Sequence, residues 1–401
     1  MSHAIILGDV HLGKGINIGR AGVGANLNSR VADQLNLLDW TLDQAVDRHV
    51  DDIILTGDIF EDPKPHPSLI TMFISWLKKC QAYDVNVHII LGNHDMLRSG
   101  MVFTSSLDII SEIELSNVSV YKDINTILIG TSAFTLVPFR DRKSFSTSSS
   151  ADAVGLLREM LVYELASIPV TYKKILVGHL AIEGSIPIGD EIDDATNELF
   201  CPLTMFKGYD YVWMGHVHKP QVMQHKKKPY IAHIGSMDIS NFGETDHKKH
   251  IVIIDCDSDV KKFETESLPT RPLRKLNITV PKDTDDPTAY VIEEIKKEQG
   301  DFLQAIVRVE VSLADPALKS ISKSSIEKFL TEQGAFNVTG ISESKKVALI
   351  KKDTNNTIDT KMDVPSAIKT YAHTYVDAPV RDAFIELAMD VYNAYKAEAK
   401  E

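Results

Sequence analysis

Five short blocks of this chain combine glycine with side chains that bind metal ions. They are Gly8-Asp9-Val10-His11, Gly57-Asp58-Ile59-Phe60-Glu61, Gly92-Asn93-His94-Asp95, Gly178-His179-Leu180 and Gly215-His216-Val217-His218. Carboxylate oxygen, amide oxygen and imidazole nitrogen together favour manganese, iron, zinc or magnesium over copper(I) or an iron–sulfur cluster. A carboxylate can bridge two such ions, and Asp58 is the best candidate. Two ions about 3.5 to 4 Å apart lower the pKa of a shared water and clamp a phosphoryl oxygen. A nearby imidazole then donates a proton to the leaving oxygen. His94, one residue after a candidate ligand, suits that task. The chemistry expected is hydrolysis of a phosphoester.

Taken singly, each block is weak. An aspartate after a strand is most often a turn or helix-capping residue, and an isolated Gly-His, D-x-H or H-x-H says little. Their joint placement carries the weight. Each block follows an apolar run: residues 4–7, 53–55, 87–91, 175–177 and 211–214. Open α/β sheets bind their ligands at the carboxyl ends of the strands. A glycine there lets the chain turn sharply or leaves space for a ligand.

The elements that must position these blocks are short strands alternating with amphipathic helices. Strands are expected at 3–7, 52–55, 85–91, 126–130, 174–177, 211–214, 230–234 and 251–255, and helices at 29–48 and 68–83. That alternation predicts an α/β sandwich. The Ser/Thr-rich stretch 144–150 reads as a surface loop. Composition shifts near residue 268, and strand, helix, strand, helix, strand follow (276–280, 287–298, 305–312, 324–332, 337–342), which predicts a small α+β domain. Residues 353–363 read as a polar linker, and 364–400 as helical. The expected divisions are 1–266, 267–352 and 353–401.

No run approaches the roughly 18 to 20 apolar residues that a membrane span needs. A candidate catalytic aspartate at position 9 leaves no room for a signal peptide, so a cytoplasmic location is expected. Cys80, Cys201 and Cys256 lack C-x-x-C spacing and read as reduced structural thiols. The formal net charge of −13 runs against a basic nucleic-acid-binding surface. A carboxylate-rich metal site offsets that argument, because bound cations neutralise part of the total.

At these blocks the chain resembles the calcineurin-like metallophosphoesterases, whose D-x-H, G-D, G-N-H-D, G-H and G-H-x-H signature it matches throughout. The resemblance implies a four-layer α/β/β/α sandwich. It implies one metal on Asp9, His11, Asp58 and His218, and a second on Asp58, Asn93, His179 and His216. His94 would be the catalytic acid, oriented by Asp95. The start Asp9-Val10-His11-Leu12-Gly13, with Gly235-Ser236-Met237 and Asn241-Phe242-Gly243-Glu244, is similar to the SbcD family of DNA double-strand-break repair nucleases. Ile234 stands where that family has proline, and Glu61 where some relatives carry a second functional histidine, so no role transfers to Glu61.

This narrower resemblance implies a manganese-dependent DNA endo- and exonuclease (magnesium being the other cation considered), acting in recombination and repair in the cytoplasm of a bacterial, archaeal or phage-infected cell. The small domain would cap the DNA, and the tail helices would dock an SbcC-type coiled-coil ATPase. A homodimer would form through helices near 68–83 and 101–113. Lys14, Arg20, Arg30 and Arg98 are the candidate DNA contacts, with Lys64, Arg140, Arg142 and Lys143 further along. Lys226–Lys228 reads as a solvated hairpin turn, and His225, His247 and His250 as surface histidines. A phosphoesterase of small-molecule or protein esters is the other reading of the substrate.

Overall fold

The computed structural model describes residues 2–22, 27–99, 102–113, 115–187, 197–257, 263–298, 302–345, 364–376 and 378–398. Two six-stranded sheets form its centre. The first runs in the order Phe263–Ser267, His250–Asp255, His3–Leu7, Asp52–Leu55, Asn86–Ile90, Val118–Tyr121. The second runs Gln221–Gln224, Tyr230–His233, Tyr211–Met214, Lys173–Gly178, Ser132–Val137, Asn125–Ile129. The strands that carry the five blocks pair in parallel within their sheets.

Alternation of side chains along each strand builds the layers. Ala4 and Ile6 join Ile54, Ile90, Phe134, Leu136, Ile175, Val177, Trp213 and Ile254 between the two sheets. Ile5, Leu7, Ile53, Leu55, Val87 and Ile89 point the other way, against Leu38, Leu42, Phe73, Trp76 and Leu77 of the helices Ser29–Asp47 and Pro67–Ala82. On the outer face of the second sheet, Leu176, Val212 and Met214 meet Leu157 and Leu161 of the helix Ser150–Ser167. The result is the expected α/β/β/α sandwich. With both faces covered, the strands read as unbroken apolar runs.

Several helices start where local chemistry dictates. Asn28 accepts a hydrogen bond from Arg30 N at the start of the first helix. His66 precedes Pro67 at the second, and proline's missing N–H costs nothing there. Ser149 caps the third, so the stretch 144–150 is only partly a loop and ends as a helix start.

Residues 267–345 hold a parallel pair, Leu273–Val280 with Ile306–Leu313, extended by Asn337–Lys345. The helices Pro287–Lys297 and Lys323–Glu332 bury Val291, Ile295, Ile326 and Leu330 with this sheet. Arg271 anchors this part to the sandwich. Its guanidinium donates to both oxygens of Asp33 (2.8 and 2.7 Å) and lies 3.9 Å from the Phe336 ring centre.

The tail forms a separate unit containing the helices Val364–Tyr375 and Ala378–Glu398. They close on each other through Tyr371 and Phe384, and Arg381 donates to the carbonyls of Ala372 and Val376. The 353–363 linker lies outside the described residues.

The structure departs from expectation in some places. The helix expected over 101–113 is a hairpin of Leu97–Ser99 with Val102–Thr104, then a helix of only Asp108–Glu112. β-branched residues and the Ser105 turn favour the strand there. His247 and His250 are half-buried, with their pKa values lowered by burial, and not surface histidines. Residues 226–228 do form the turn of an antiparallel hairpin, between Gln221–Gln224 and Tyr230–His233.

Candidate metal centre

The two sheets bring the ends of five strands together. Asp9, His11 and Asp58 come from the first sheet with Asn93. His179, His216 and His218 come from the second. All but Asn93 are buried, with at most 4% of their surface exposed. His11, Asp58 and His216 sit in the left-handed backbone region (φ 46, 47 and 76°), which side-chain-bearing residues rarely adopt. Such strain persists only where surrounding packing enforces it. Gly92 and Gly215 show why glycine precedes ligands here. A Cβ on Gly92 would overlap the Asp58 carboxylate, and one on Gly215 would overlap that of Asp9.

Asp58 occupies the middle. Its Oδ2 lies 3.4 Å from His11 Nε2 and 3.3 Å from His179 Nε2, while Oδ1 accepts from His94 N. His218 Nε2 lies 2.9 Å from His11 Nε2. Asn93 Oδ1 lies 3.0 Å from both His179 Nε2 and His216 Nδ1. Asp9 accepts from Thr56 Oγ1 and His216 N. Donor atoms of Asp9, His11 and His218 fall within 4.8 Å of one another, as do those of Asp9, Asp58 and His179.

This donor set fits divalent cations. Two facing imidazole nitrogens 2.9 Å apart need a proton or a cation between them, since both cannot keep bare lone pairs in contact. The histidines also carry partners that turn lone pairs inward. His179 Nδ1 donates to the Thr56 carbonyl at 2.8 Å, which leaves Nε2 as the nitrogen turned to the site. His11 Nδ1 lies 2.8 Å from Glu61 Oε2. Such remote-nitrogen partners fix the tautomer and orientation of a metal-binding histidine.

Charge in the site is strongly coupled. Burial would lower the pKa of His179, but Asp58 and Asp9 raise it to about 10. Burial would raise that of Asp58, but His179 and His11 hold it well below the usual carboxylate range. Burial pushes His11 down to about 4, against the pull of Glu61. Burial and then the Asp58 charge push Asp95 up to about 7.

His94 stands at the rim, half-buried. Its Nδ1 donates to the Glu61 carbonyl at 2.7 Å, so Nε2 is the free nitrogen. Asp95 does not orient this ring directly. Its carboxylate accepts from the backbone N–H of Gly92 and Ile59, both at 2.9 Å, and so ties two ligand loops together.

Glu61 is therefore a partner of the candidate site that sequence reasoning missed. Its carboxylate also meets Lys14 Nζ at 3.0 Å. Burial opposes ionisation, but His11 and Lys14 hold its pKa at about 2. The Gly235-Ser236-Met237 and Phe242-Gly243-Glu244 segments gain a physical role as well. Met237 N donates to Asp9 O, and the buried Lys249 ammonium joins Glu244 (2.7 Å), Ser236 Oγ (2.7 Å) and the His218 carbonyl (2.9 Å). These bonds lock the Asp9 and His218 loops to each other.

The candidate DNA contacts separate. Lys14 lies at the site beside Glu61. Arg20 is exposed, but turns toward Asn337 and the Phe336 ring of the small domain. Arg30, expected at the DNA, is instead fully buried, paired with Asp33 (2.7 Å) and Asp238 (2.5 Å), and offers no donor to a phosphate outside. Arg140 is likewise buried, donating to the carbonyls of Phe139 and Lys122. The Arg98 side chain lies outside the described residues.

The chain is 25% identical over 331 residues to a protein of Staphylococcus epidermidis named as a subunit of the nuclease SbcCD, covering 78% of this chain and 80% of that one. It is 25% identical over 332 residues to the DNA double-strand break repair protein Mre11 of Saccharolobus solfataricus, covering 80% and 79%. Among solved structures, a dimetal phosphatase from Danio rerio superposes with a TM-score of 0.42 at 12% identity, over 67% of this chain and 96% of that one. The calcineurin-like phosphoesterase model matches residues 3–220, a span that holds every candidate ligand described above, and the chain belongs to that family.

Proposed function

We propose that this protein is the nuclease component of an SbcCD-type recombination and repair complex, hydrolysing DNA phosphodiesters with two manganese ions. One observation carries the substrate. Similarity to relatives named as DNA nuclease and break-repair proteins runs over 331 and 332 residues, far more than the phosphoesterase match at 3–220 covers. A hydrolase of small esters has no use for that added length.

In this reading one ion is held by Asp9, His11, Asp58 and His218, the other by Asp58, Asn93, His179 and His216. When bound, the pair supplies an activated water and a clamp for the phosphoryl oxygen. His94 carries the proton at Nε2 to the leaving oxygen, because Nδ1 is occupied by the Glu61 carbonyl. Asp95 keeps the Asp58 and Asn93 loops in register. Lys14, at the rim, pairs with a DNA phosphate.

The domain at 267–352 caps the DNA, held to the sandwich through Arg271 and Asp33. The segment 353–401 docks the coiled-coil ATPase. Tyr371, Val380, Phe384, Leu387 and Val391 remain exposed on its helices, as a partner-facing surface requires. Ile109 and Ile113 are exposed and offer apolar surface to a homodimer, which would form through this segment and the Pro67–Ala82 helix.

The test is a manganese-supported assay on linear and hairpin DNA, with and without the ATPase. DNA cleavage that disappears in Asp58→Ala is expected. Fast turnover of a small phosphate ester with DNA left intact under every condition would sink the proposal.

A further inference from the structure

Each ligand histidine turns one ring nitrogen toward the metal centre and the other away. The outward nitrogen of His179 is held by a backbone carbonyl. That of His11 faces Glu61, and that of His218 faces Glu244 at 3.9 Å. Both glutamates have an ammonium beside them, Lys14 at 3.0 Å and Lys249 at 2.7 Å.

His216 differs. It turns Nδ1 toward Asn93, and its Nε2 lies 3.5 Å from Oε1 of Glu198. Glu198 is 6% exposed and His216 3%. Neither of these two facing atoms has a hydrogen-bond partner among the described residues, and no lysine or arginine among them pairs with Glu198. The placement is enforced from both sides. Arg142 clamps Asn197 through its Oδ1 (3.1 and 2.7 Å) and its carbonyl (2.9 Å), while Leu199 and Cys201 sink into the core.

A buried carboxylate without a counter-charge is strongly unfavourable. The nearest place for a balancing cation is the metal position that His216 faces. That position is also the poorer in charge. Asp58 is its sole carboxylate, shared with the other ion, and Asn93 is neutral. The set of Asp9, His11, Asp58 and His218 has two carboxylates.

We propose that Glu198 is the positioning residue of the second metal position. It takes the Nε2–H of His216, so that Nδ1 is the ligating nitrogen, and its charge is balanced by the cation that His216 holds. This rests on the two-ion reading of the site and is independent of the DNA substrate.

The consequence is a pair of opposite effects. Glu198→Gln keeps the shape and removes the charge. It relieves an unpaired buried anion in the chelated protein and weakens only the second ion. Calorimetric titration of the chelator-treated full chain with manganese chloride reads the two affinities, and thermal melts of the same samples read stability. The second affinity is expected to fall about 10- to 100-fold, with the first unchanged and the chelated melt shifted upward. Two affinities equal to those of the native chain overturn the proposal. So does equal loss at both positions with a lowered melt, which marks a merely structural residue. A native chain that binds a single ion overturns it as well. Glu198→Ala is the harsher second variant, and the near-isosteric glutamine keeps the test decisive if alanine does not fold. A failed nuclease assay leaves every one of these readings intact, since no DNA enters them.

Discussion

His94 Nδ1 lies 2.7 Å from the carbonyl oxygen of Glu61, while the Glu61 carboxylate lies 2.8 Å from His11 Nδ1. One residue thus holds the proposed acid with its backbone and a metal ligand with its side chain. The two contacts separate by mutation, because only the second depends on the side chain.

His94→Ala removes proton donation and leaves the metal ligands in place. The rate of DNA cleavage should fall by about 10²- to 10⁴-fold, with manganese affinity near the native value. An ester whose leaving group needs no proton should lose far less. Equal losses on both substrates would rule out a general-acid role.

Glu61→Ala should act on metal affinity and spare the acid. Loss of a histidine's outer partner weakens a metal by about 10- to 100-fold. Activity should return as manganese is raised, which titrations of rate against metal concentration would reveal. A rate that stays low at saturating metal would place the Glu61 side chain in the chemical step.

The pKa of His179, raised to about 10, predicts the direction of pH dependence. In the chelated protein the imidazolium pairs with Asp58. That pair contributes stability fully below pH 6.5, the unfolded value, and loses it as pH rises toward 10. A metal must displace the proton, so affinity should rise with pH, by up to about tenfold per unit for one proton released. Calorimetry at about pH 6.5, 7.5 and 8.5, in buffers of different ionisation heat, would count that proton. Affinity independent of pH would contradict it.

Glu244 and Lys249 are both fully buried and 2.7 Å apart. Burial disfavours the charge on Glu244, yet His218 and Lys249 hold its pKa well below the usual range. Glu244→Ala strands the ammonium, and breaking such a pair costs about 3–5 kcal/mol. Denaturant melts should show that loss. Adding Lys249→Met should recover part of it, and a double variant worse than Glu244→Ala would refute the pairing argument.

Arg271→Ala should loosen the small domain, since it removes the bidentate bond to Asp33 and the stack on Phe336. Cleavage of duplex DNA should drop by more than turnover of a small ester. Equal effects on the two would argue against a DNA-capping role for residues 267–352.

The candidate metal ligands were legible in the sequence because their chemistry is local. A hard-cation site needs particular donor types, and a strand end after an apolar run is visible as a pattern. The two strands that line up Asp9 and Asp58 are continuous apolar runs of the kind a doubly covered sheet requires. The helix Ser150–Ser167 was not legible. Leu156, Met160, Val162 and Tyr163 stay exposed on it, so its apolar residues surround the axis instead of forming one stripe, and its Ser-rich start resembles a loop.

Residue types and spacing by themselves determined which side chains are candidate metal ligands, and that their strands alternate with helices. Tertiary structure alone decided what stands behind those ligands. Glu61 reaches back along the chain to His11, Glu198 meets His216, and Arg30 turns inward to Asp238. An acid or a base shows its charge in the sequence but not its partner. Partner choice is set by which loops the two sheets bring within a few ångströms of each other, and by the high cost of leaving a buried charge unmatched.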